Sequence, residues 1–593
     1  MFDTILKPEF STVGINQVQN GNNGLIPRSV ADRSADLSLN LFTSKRETSL
    51  PRLGINSISL RRKLYRKSAP FASSGLGENR ANFYPETRSK FVEDDNLLIQ
   101  QKHHLLDQNK QFFPRLRNPL NGFKPSNVDP LTGLPTANPR AVNTQTTDRL
   151  LNPENRANSA VLHVKGTLRA DRFIHHSNYQ YTLFSGKGNV DFGSGYRDFV
   201  DLSNIHSRSV RFNLANHQGG GVVFNPGNGS RVFDALTLSN GRHILFEGMD
   251  SIRFSDGIVN LTVIPNDPLF ARQSSLHSMG IHNAWRFTTG SNRVLIGVQD
   301  SGLGTNQNGF IHPELRNTTV YSNNYRDEFG LPESHGTGVQ GIIAARSNNG
   351  VGLSGINWNS NVFHIDVLDG NFGDQTLEQA TQNMITAAAQ NGQRLVINMS
   401  LGTRTFNQIP AVHANFVNVV RNNPNTLFVI AAGNSGHQGQ SGLASPATLA
   451  QHFNNVIAVG ASWGTHDRDG FTRTPGQRIQ YNWWGSQYGP GLTLMAPSEV
   501  YSTKTTRNRF GQVEFGYYLT GDRFNGTSAA APNVAGVASL AWSVNPRLSA
   551  AQIKGILSRT ADDLGTPGYD HFYGHGFVNA DAAVRQAMAY ARA

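Results

Sequence analysis

One short stretch decides the fold of this chain: Asn525-Gly526-Thr527-Ser528-Ala529-Ala530-Ala531-Pro532. Residues 533–545, which follow it, carry apolar side chains at helical spacing, and this pattern predicts that Ser528 stands where a buried helix begins. Serine favours such a position because its oxygen accepts a hydrogen bond from a free amide of the first turn. A helix N-terminus also stabilises negative charge that develops nearby. The stretch alone therefore fits either a structural cap or a nucleophile.

Two upstream motifs favour the nucleophile. The apolar run at residues 294–298 predicts a strand buried on both faces, and it delivers Asp300 to the sheet edge where active sites form. His335 lies among small residues at a second predicted helix start. A carboxylate, an imidazole and a hydroxyl are the parts of a Ser–His–Asp relay, in which the carboxylate orients the base that takes the serine proton. Taken singly, Asp300 is also typical of a turn, and His335 of a structural histidine.

Together these motifs resemble those of the subtilisin-like serine peptidases, the subtilases, over residues 266–593. They occur in the chain order Asp, His, Ser, which is the order in subtilisin. The resemblance implies an α/β fold of the three-layer subtilisin type with a mostly parallel sheet, and a serine endopeptidase that hydrolyses peptide bonds. The serine motif and the segment 573–580 lean towards the kexin-like branch, but the β-sandwich that follows the kexin catalytic domain has no counterpart in this sequence.

The same resemblance implies roles for residues outside the triad. Asn434 follows a buried apolar run and matches the family asparagine whose side-chain amide donates to the oxyanion; by itself it is also typical of a β-turn. Ser400, Leu401 and Gly402 match the strand against which an extended substrate pairs. In that match Ser400 and Gly402 act through their backbone, and Leu401 lines an apolar pocket.

The predicted specificity departs from that of the kexin-like branch, whose members cut after basic residues because acidic groups line the pocket. Residues 435–453 match the pocket segment and contain no Asp or Glu, and Ala444 lies in the matching core. Because a basic side chain in a desolvated pocket needs an opposing carboxylate, we expect an apolar or uncharged residue before the scissile bond. Two other functions stay open: a peptide ligase or macrocyclase (a transpeptidase), and a non-catalytic binding scaffold.

Structural calcium is also implied by the resemblance, since subtilases commonly hold Ca²⁺ with loop carbonyls, an asparagine and a carboxylate. Glu314 matches the carboxylate, and Asn348 and Asn349 lie in the matching loop. Oxygen ligands on a flexible loop suit Ca²⁺. The alternative interpretation is an Asn-Gly turn beside a surface glutamate.

Composition bounds the remaining functions. The chain has 593 residues, a net charge of +12 and no cysteine, which excludes disulfides, thiolate metal sites and a cysteine nucleophile. No stretch is apolar over the length of a bilayer, and residues 1–20 lack the pattern of a secretory signal. The expected partners are protein or peptide substrates; neither nucleic acid nor a membrane span is expected. Localisation is undetermined, and export would need a route without a recognisable signal peptide.

Three regions divide the sequence. Residues 1–155 lack a sustained apolar period, which predicts a disordered basic region. Residues 160–265 alternate short apolar runs with Gly, Asn and Asp turns, which predicts a small all-β domain. Within it, residues 186–198 resemble an imperfect pair of calcium-binding glycine-aspartate repeats, although glycine-rich turns are the favoured explanation. Residues 266–593 form the predicted peptidase domain, with strands at 362–368 and 456–461 and helices at 377–390, 410–422, 550–559 and 580–591.

Overall fold

The structure, a computed structural model, describes part of the chain: residues 40–41, 161–175, 177–315, 319–320, 334–368 and 375–592. All of these residues fall within one compact unit that spans Leu39–Ala593. The predicted disordered region, residues 1–155, lies outside the described residues except for a two-residue strand, β1, at Asn40–Leu41.

Ten short strands follow between residues 161 and 260. They are β2 Val161–Lys165, β3 Arg172–Ile174, β4 Tyr181–Ser185, β5 Phe199–Leu202, β6 Arg211–Asn213, β7 Val222–Phe224, β8 Arg231–Thr237, β9 His243–Glu247, β10 Ser251–Phe254 and β11 Gly257–Asn260. One sheet has the order β2-β4-β9-β8-β6, with β7 beside β8, and a second has the order β11-β10-β5-β3. Phe184 and Phe246 of the first sheet pack with Val200 and Ile252 of the second. That this region is a separate domain stays a prediction.

The glycine-rich segment at residues 186–198 is explained by close approach of backbones. A Cβ atom on Gly188 would lie 1.7 Å from the carbonyl oxygen of Ser278, and one on Gly193 would lie 1.8 Å from that of Ala271. Gly195 has a φ of 92°, in the left-handed region that favours glycine. The described residues hold no cluster of three or more acidic or histidine side chains suited to a metal, here or elsewhere. Turn geometry therefore accounts for these glycines.

A seven-stranded sheet forms the centre of the remaining chain. Its strands and their neighbours are β12 Val294–Asp300, β13 Thr319–Val320, β14 Asn361–Asp366, β15 Arg394–Met399, β16 Leu401–Gly402, β17 Thr426–Ala431, β18 Val456–Ser462, β19 Leu492–Pro497, β20 Ser502–Arg507 and β21 Val513–Tyr518. The order is β13-β14-β12-β15-β17-β18-β19, and every pair in it is parallel. Strands β20 and β21 form a separate antiparallel pair, and β16 pairs only with β1 in the sheets of the described residues. This topology confirms the predicted α/β class with a mostly parallel sheet.

Eight α-helices are described: α1 Ser274–Ser278, α2 Ile281–Ala284, α3 His335–Ala344, α4 Leu377–Gln390, α5 Ala414–Asn422, α6 Thr527–Val544, α7 Ala550–Thr560 and α8 Ala580–Arg592. Helix α6 is apolar all round and packs against α3, α8 and the central sheet, as a fully buried helix should. In the part of the chain that the structure describes, no helix is both long enough and apolar enough to cross a bilayer.

The predicted helix boundaries are confirmed where a capping box fixes them. The Thr376 side chain accepts from the Gln379 amide, and the Ser549 side chain accepts from the Gln552 amide, so α4 and α7 begin at the expected residues. Helix α5 begins four residues later than predicted. Residues Ala411–His413 form a separate 3-10 turn after Pro410, whose ψ of 157° is extended.

A buried ionic cluster joins α8 to β8. Arg585 donates to Asp234 at 2.8 Å, to Asp581 at 2.7 Å and to the Val232 carbonyl at 2.9 Å. Arg286 also donates to Asp234, at 2.9 Å. Burial alone would raise the pKa of Asp234, but the two guanidiniums lower it to about 2. Strand β8 is therefore fixed to the last-named helix by charge pairs that water does not reach.

Candidate active site

Asp300 and His335 are held together at one edge of the central sheet. Asp300 is the last residue of β12, His335 is the first residue of α3, and both are buried. His335 Nδ1 donates to Asp300 Oδ1 at 2.6 Å. Asp300 Oδ1 also accepts from the Ser301 amide at 2.9 Å, which fixes the carboxylate plane. This arrangement selects the tautomer in which Nε2 is the basic nitrogen of His335.

Ser528 is the second residue of α6 and is fully buried. Gly526 precedes the helix with a φ of 82°, a left-handed value that lets the chain turn sharply into it. Ser528 Oγ donates to the Ser400 carbonyl at 3.2 Å, and Ser400 Oγ donates to the Ser528 carbonyl at 2.9 Å. Phe524, four residues earlier, packs edge-on against the His335 ring at 5.3 Å between centroids. The segment that carries the serine thus also covers the imidazole.

The Asn434 side chain lies beside the start of α6. Its Oδ1 accepts from the Thr527 amide at 2.9 Å and from Thr527 Oγ1 at 3.0 Å. Its Nδ2 is buried and has no hydrogen-bond partner among the described residues. A buried donor left without a partner costs about 1–3 kcal/mol, so the structure keeps an unused donor next to Ser528. Thr527, which orients this amide, was not singled out in the sequence, although it adjoins the serine.

His364 supports the Asp300 loop and was also missed. Its Nε2 donates to the Ser301 carbonyl at 2.6 Å, and its Nδ1 contacts Gln340 Oε1 at 2.9 Å. Burial lowers the pKa of His364, so the imidazole is held neutral. The sequence signal was present, since this histidine interrupts the apolar strand Asn361–Asp366. Its role depends on contacts with residues far away along the chain.

The predicted substrate strand lies next to Ser528. Ser400 follows β15 directly, and Leu401 and Gly402 form β16, all three with buried side chains or backbone. Strand β16 pairs in antiparallel fashion with β1, with Asn40 opposite Gly402 and Leu41 opposite Leu401. The edge that the sequence assigned to an extended peptide therefore does carry an added strand.

Ala444 is fully buried beside the Asn434 turn. Its amide donates to the Ala432 carbonyl at 2.9 Å, and a Cβ on Gly433 would lie 2.7 Å from the Ala444 methyl group. An acidic group from a distant loop was the alternative for this pocket. Asp467 lies on such a loop, but its carboxylate is buried and accepts from Arg473 at 2.6 Å. Its charge is therefore already paired within that loop.

The predicted calcium residues do not all converge. Glu314 is buried, and its carboxylate accepts from Asn349 Nδ2 and from the Tyr517 hydroxyl, both at 3.2 Å. Asn348 turns instead towards Asn266, whose amide donates to its Oδ1 at 3.2 Å. Burial raises the pKa of Glu314, as expected of a carboxylate with little compensating charge.

The loop at residues 348–350 has an anchor that the sequence did not reveal. Asp267 is buried and accepts from the amides of Asn348 and Asn349 at 2.8 and 2.9 Å, and more distantly from that of Gly350. These bonds hold the loop by themselves.

Comparisons with known proteins bear on the same part of the chain. A model of the subtilase family matches residues 291–576. The chain is 32% identical over 317 residues to a thermostable alkaline protease of Halalkalibacterium halodurans, which covers 53% of this chain and 72% of that protein. It is 31% identical over 326 residues to thermitase of Thermoactinomyces vulgaris, covering 54% of this chain and 99% of thermitase. A solved protease of Pseudoalteromonas arctica is 26% identical, with a TM-score of 0.42, over 55% of this chain and 99% of its own.

Proposed function

The chain belongs to the subtilase family of serine endopeptidases, and from this premise we propose that Ser528, His335 and Asp300 carry out its peptide-bond hydrolysis. The observation that carries the proposal is the 2.6 Å hydrogen bond from His335 Nδ1 to Asp300 Oδ1, made at the sheet edge that also receives the N-terminus of α6. This bond prepares His335 Nε2 as the base, and the helix start presents the hydroxyl of Ser528.

In the proposed reaction, Ser528 Oγ attacks the scissile carbonyl while His335 takes the hydroxyl proton and Asp300 stabilises the imidazolium. Asn434 Nδ2 and the amide of Ser528 donate to the oxygen that becomes negatively charged. Asn434 suits this role because Thr527 holds its Oδ1 and leaves its Nδ2 without a partner among the described residues. A donor fixed in place before the reaction stabilises the developing charge without reorganisation. The protonated His335 then passes its proton to the leaving amine, and water resolves the ester.

Two measurements test this function. A fluorophosphonate probe should label the purified chain at Ser528, and the same preparation should hydrolyse denatured casein. Adding an excess of a peptide amine separates hydrolysis from transpeptidation, because a ligase would transfer its acyl group to the amine, whereas a hydrolase would release free carboxylates. Absence of labelling in a folded preparation would favour a non-catalytic binding scaffold.

The first prediction concerns specificity. Because residues 435–453 supply no carboxylate and Ala444 contributes an apolar floor, we expect cleavage after large apolar residues to exceed cleavage after Arg or Lys by about tenfold or more. Mass spectrometry of peptides released from a denatured proteome measures this ratio. The variant Ser435→Asp places a carboxylate at the half-buried position after Asn434 and should raise the share of cuts after Lys and Arg. Predominant cutting after basic residues by the wild type would refute the assignment.

We also propose a structural calcium ion beside Glu314 and Asn349. Subtilases commonly bind structural calcium. Glu314 and Asn349 lie within hydrogen-bonding distance of each other, and the raised pKa of Glu314 marks a site where positive charge is lacking. A carboxylate and an amide oxygen are ligands that suit Ca²⁺, which would supply that charge. Asn348 is not part of this site in its present orientation, since its Oδ1 accepts from Asn266.

The second prediction follows from this proposal. Excess calcium should raise the melting temperature relative to chelator, because a ligand bound only by the folded state stabilises it by about 2.7 kcal/mol at a concentration 100 times its Kd. The measurement uses the Ser528→Ala variant so that self-digestion does not contribute. Glu314→Gln should remove the calcium dependence. Equal melting temperatures with calcium and with chelator would count against an exchangeable site.

A further inference from the structure

Strand β1 occupies the edge at which a substrate would bind. Asn40 and Leu41 lie about 360 residues before Gly402 and Leu401, yet the two pairs form an antiparallel ladder. An extended peptide that adds a strand to a sheet edge gains its affinity from the same main-chain hydrogen bonds. The backbone of β16 is therefore already paired with a segment of the same chain.

The direction of β1 leads towards the proposed nucleophile. In an antiparallel ladder, the forward step from Asn40 to Leu41 is a backward step from Gly402 to Leu401, so the next step in register reaches Ser400. Ser400 is the residue whose carbonyl accepts from Ser528 Oγ at 3.2 Å. The residue that follows Leu41 in the sequence is Phe42, and Thr43 comes after it.

Phe42 has the side chain that the pocket favours. The segment 435–453 carries no carboxylate, and Ala444 is apolar, so a phenyl ring loses no hydration there that a charged group would need. A covalently tethered segment also meets the site at an effective concentration of about millimolar for short linkers, and less for longer ones. A short ladder can therefore occupy the edge within one chain although the same peptide would bind weakly when free.

We propose that the segment containing Asn40 and Leu41 is a substrate of its own chain and that Ser528 cleaves the bond between Phe42 and Thr43. Ser528 Oγ bonds to the Phe42 carbonyl carbon, and His335 takes the serine proton and gives it to the departing Thr43 amine. Water then cleaves the ester, which leaves a carboxylate on Phe42 and returns the hydroxyl of Ser528. The inference rests on the proposed function, but it names a specific bond that general hydrolytic activity does not require.

The test follows the full-length chain by intact-mass measurement and N-terminal sequencing. Wild-type protein should lose residues 1–42 and acquire Thr43 as its N-terminus, at a rate independent of protein concentration, whereas Ser528→Ala should stay intact. The double variant Asn40→Pro, Leu41→Pro removes both backbone donors of β1 and should slow this cleavage by at least about tenfold. The matched control, Asn96→Pro, Leu97→Pro, changes the same residue pair elsewhere in the N-terminal region and should cleave at the wild-type rate.

Casein hydrolysis by the same samples separates the two claims. If the wild type digests casein but never acquires Thr43 as its N-terminus, or does so equally fast in both proline variants, the self-cleavage proposal is wrong and the proposed function stands. If a folded wild type neither digests casein nor cuts itself, both are wrong. Hydrogen exchange gives a readout without catalysis: in Ser528→Ala, the proline changes at residues 40 and 41 should speed exchange at Leu401 and Gly402, and unchanged exchange would overturn the pairing.

Discussion

The Ser528→Ala variant should lose casein hydrolysis by about 10⁶-fold in kcat while it remains folded; a loss of this size is known for the triad serine of subtilisin. The reason is that no other group in the proposed site can form the ester with the substrate. The hydroxyl contributes little to stability, since it donates to the Ser400 carbonyl at 3.2 Å and a neutral hydrogen bond is worth about 1 kcal/mol. Steady-state kinetics and a thermal melt measure the two effects.

A graded control strengthens this prediction. Asn434→Leu removes the proposed oxyanion donor but leaves the nucleophile and base, so kcat should fall by about 10²–10³-fold, again the magnitude known for subtilisin. The fluorophosphonate probe should still label this variant, although more slowly. Casein hydrolysis near the wild-type rate by a folded Ser528→Ala protein would exclude Ser528 as the nucleophile.

The Arg585→Met variant should be destabilised by about 3–5 kcal/mol. It removes the guanidinium that pairs with Asp234 and Asp581 and leaves buried carboxylates with less positive charge than they need. Methionine fills much of the same volume, so lost charge rather than a cavity dominates the effect. Chemical unfolding on a Ser528→Ala background measures the change without self-digestion.

The control for this variant is Arg547→Ala, which removes an exposed arginine and should change stability by less than about 0.5 kcal/mol. The destabilised variant should also be less sensitive to acid than the wild type. The depressed pKa of Asp234 contributes stability that is present above the unfolded value and is lost as pH falls towards about 2. An Arg585→Met protein as stable as the Arg547→Ala protein would show that the cluster contributes nothing.

The elements around the candidate site could be predicted because their signals are local. The apolar run before Asp300 specifies a buried strand, and the capping boxes at Thr376 and Ser549 fix where two helices begin. The resemblance then supplied the order of the three side chains. Each of these inferences uses residues that are close together along the chain.

The missed features depend on residues far apart in sequence. The bond from Thr527 to Asn434 spans 93 residues, and that from His364 to the Ser301 carbonyl spans 63. Asp267 looked like part of a turn, but its carboxylate is an anchor for a loop 81 residues away. Neither periodicity nor composition reports such pairings, because each partner alone looks like an ordinary polar residue.

The buried pair of Asp234 and Arg585 has a consequence for the order of events during synthesis. The two residues are 351 positions apart. At ribosomal rates of about 5–20 residues per second, Asp234 waits roughly 18–70 s before this partner is made. Ser528 is also translated late, well after His335 and Asp300. Translation itself therefore acts as a timer, since a growing chain holds neither the hydroxyl nor this counter-charge until most of its residues have left the ribosome.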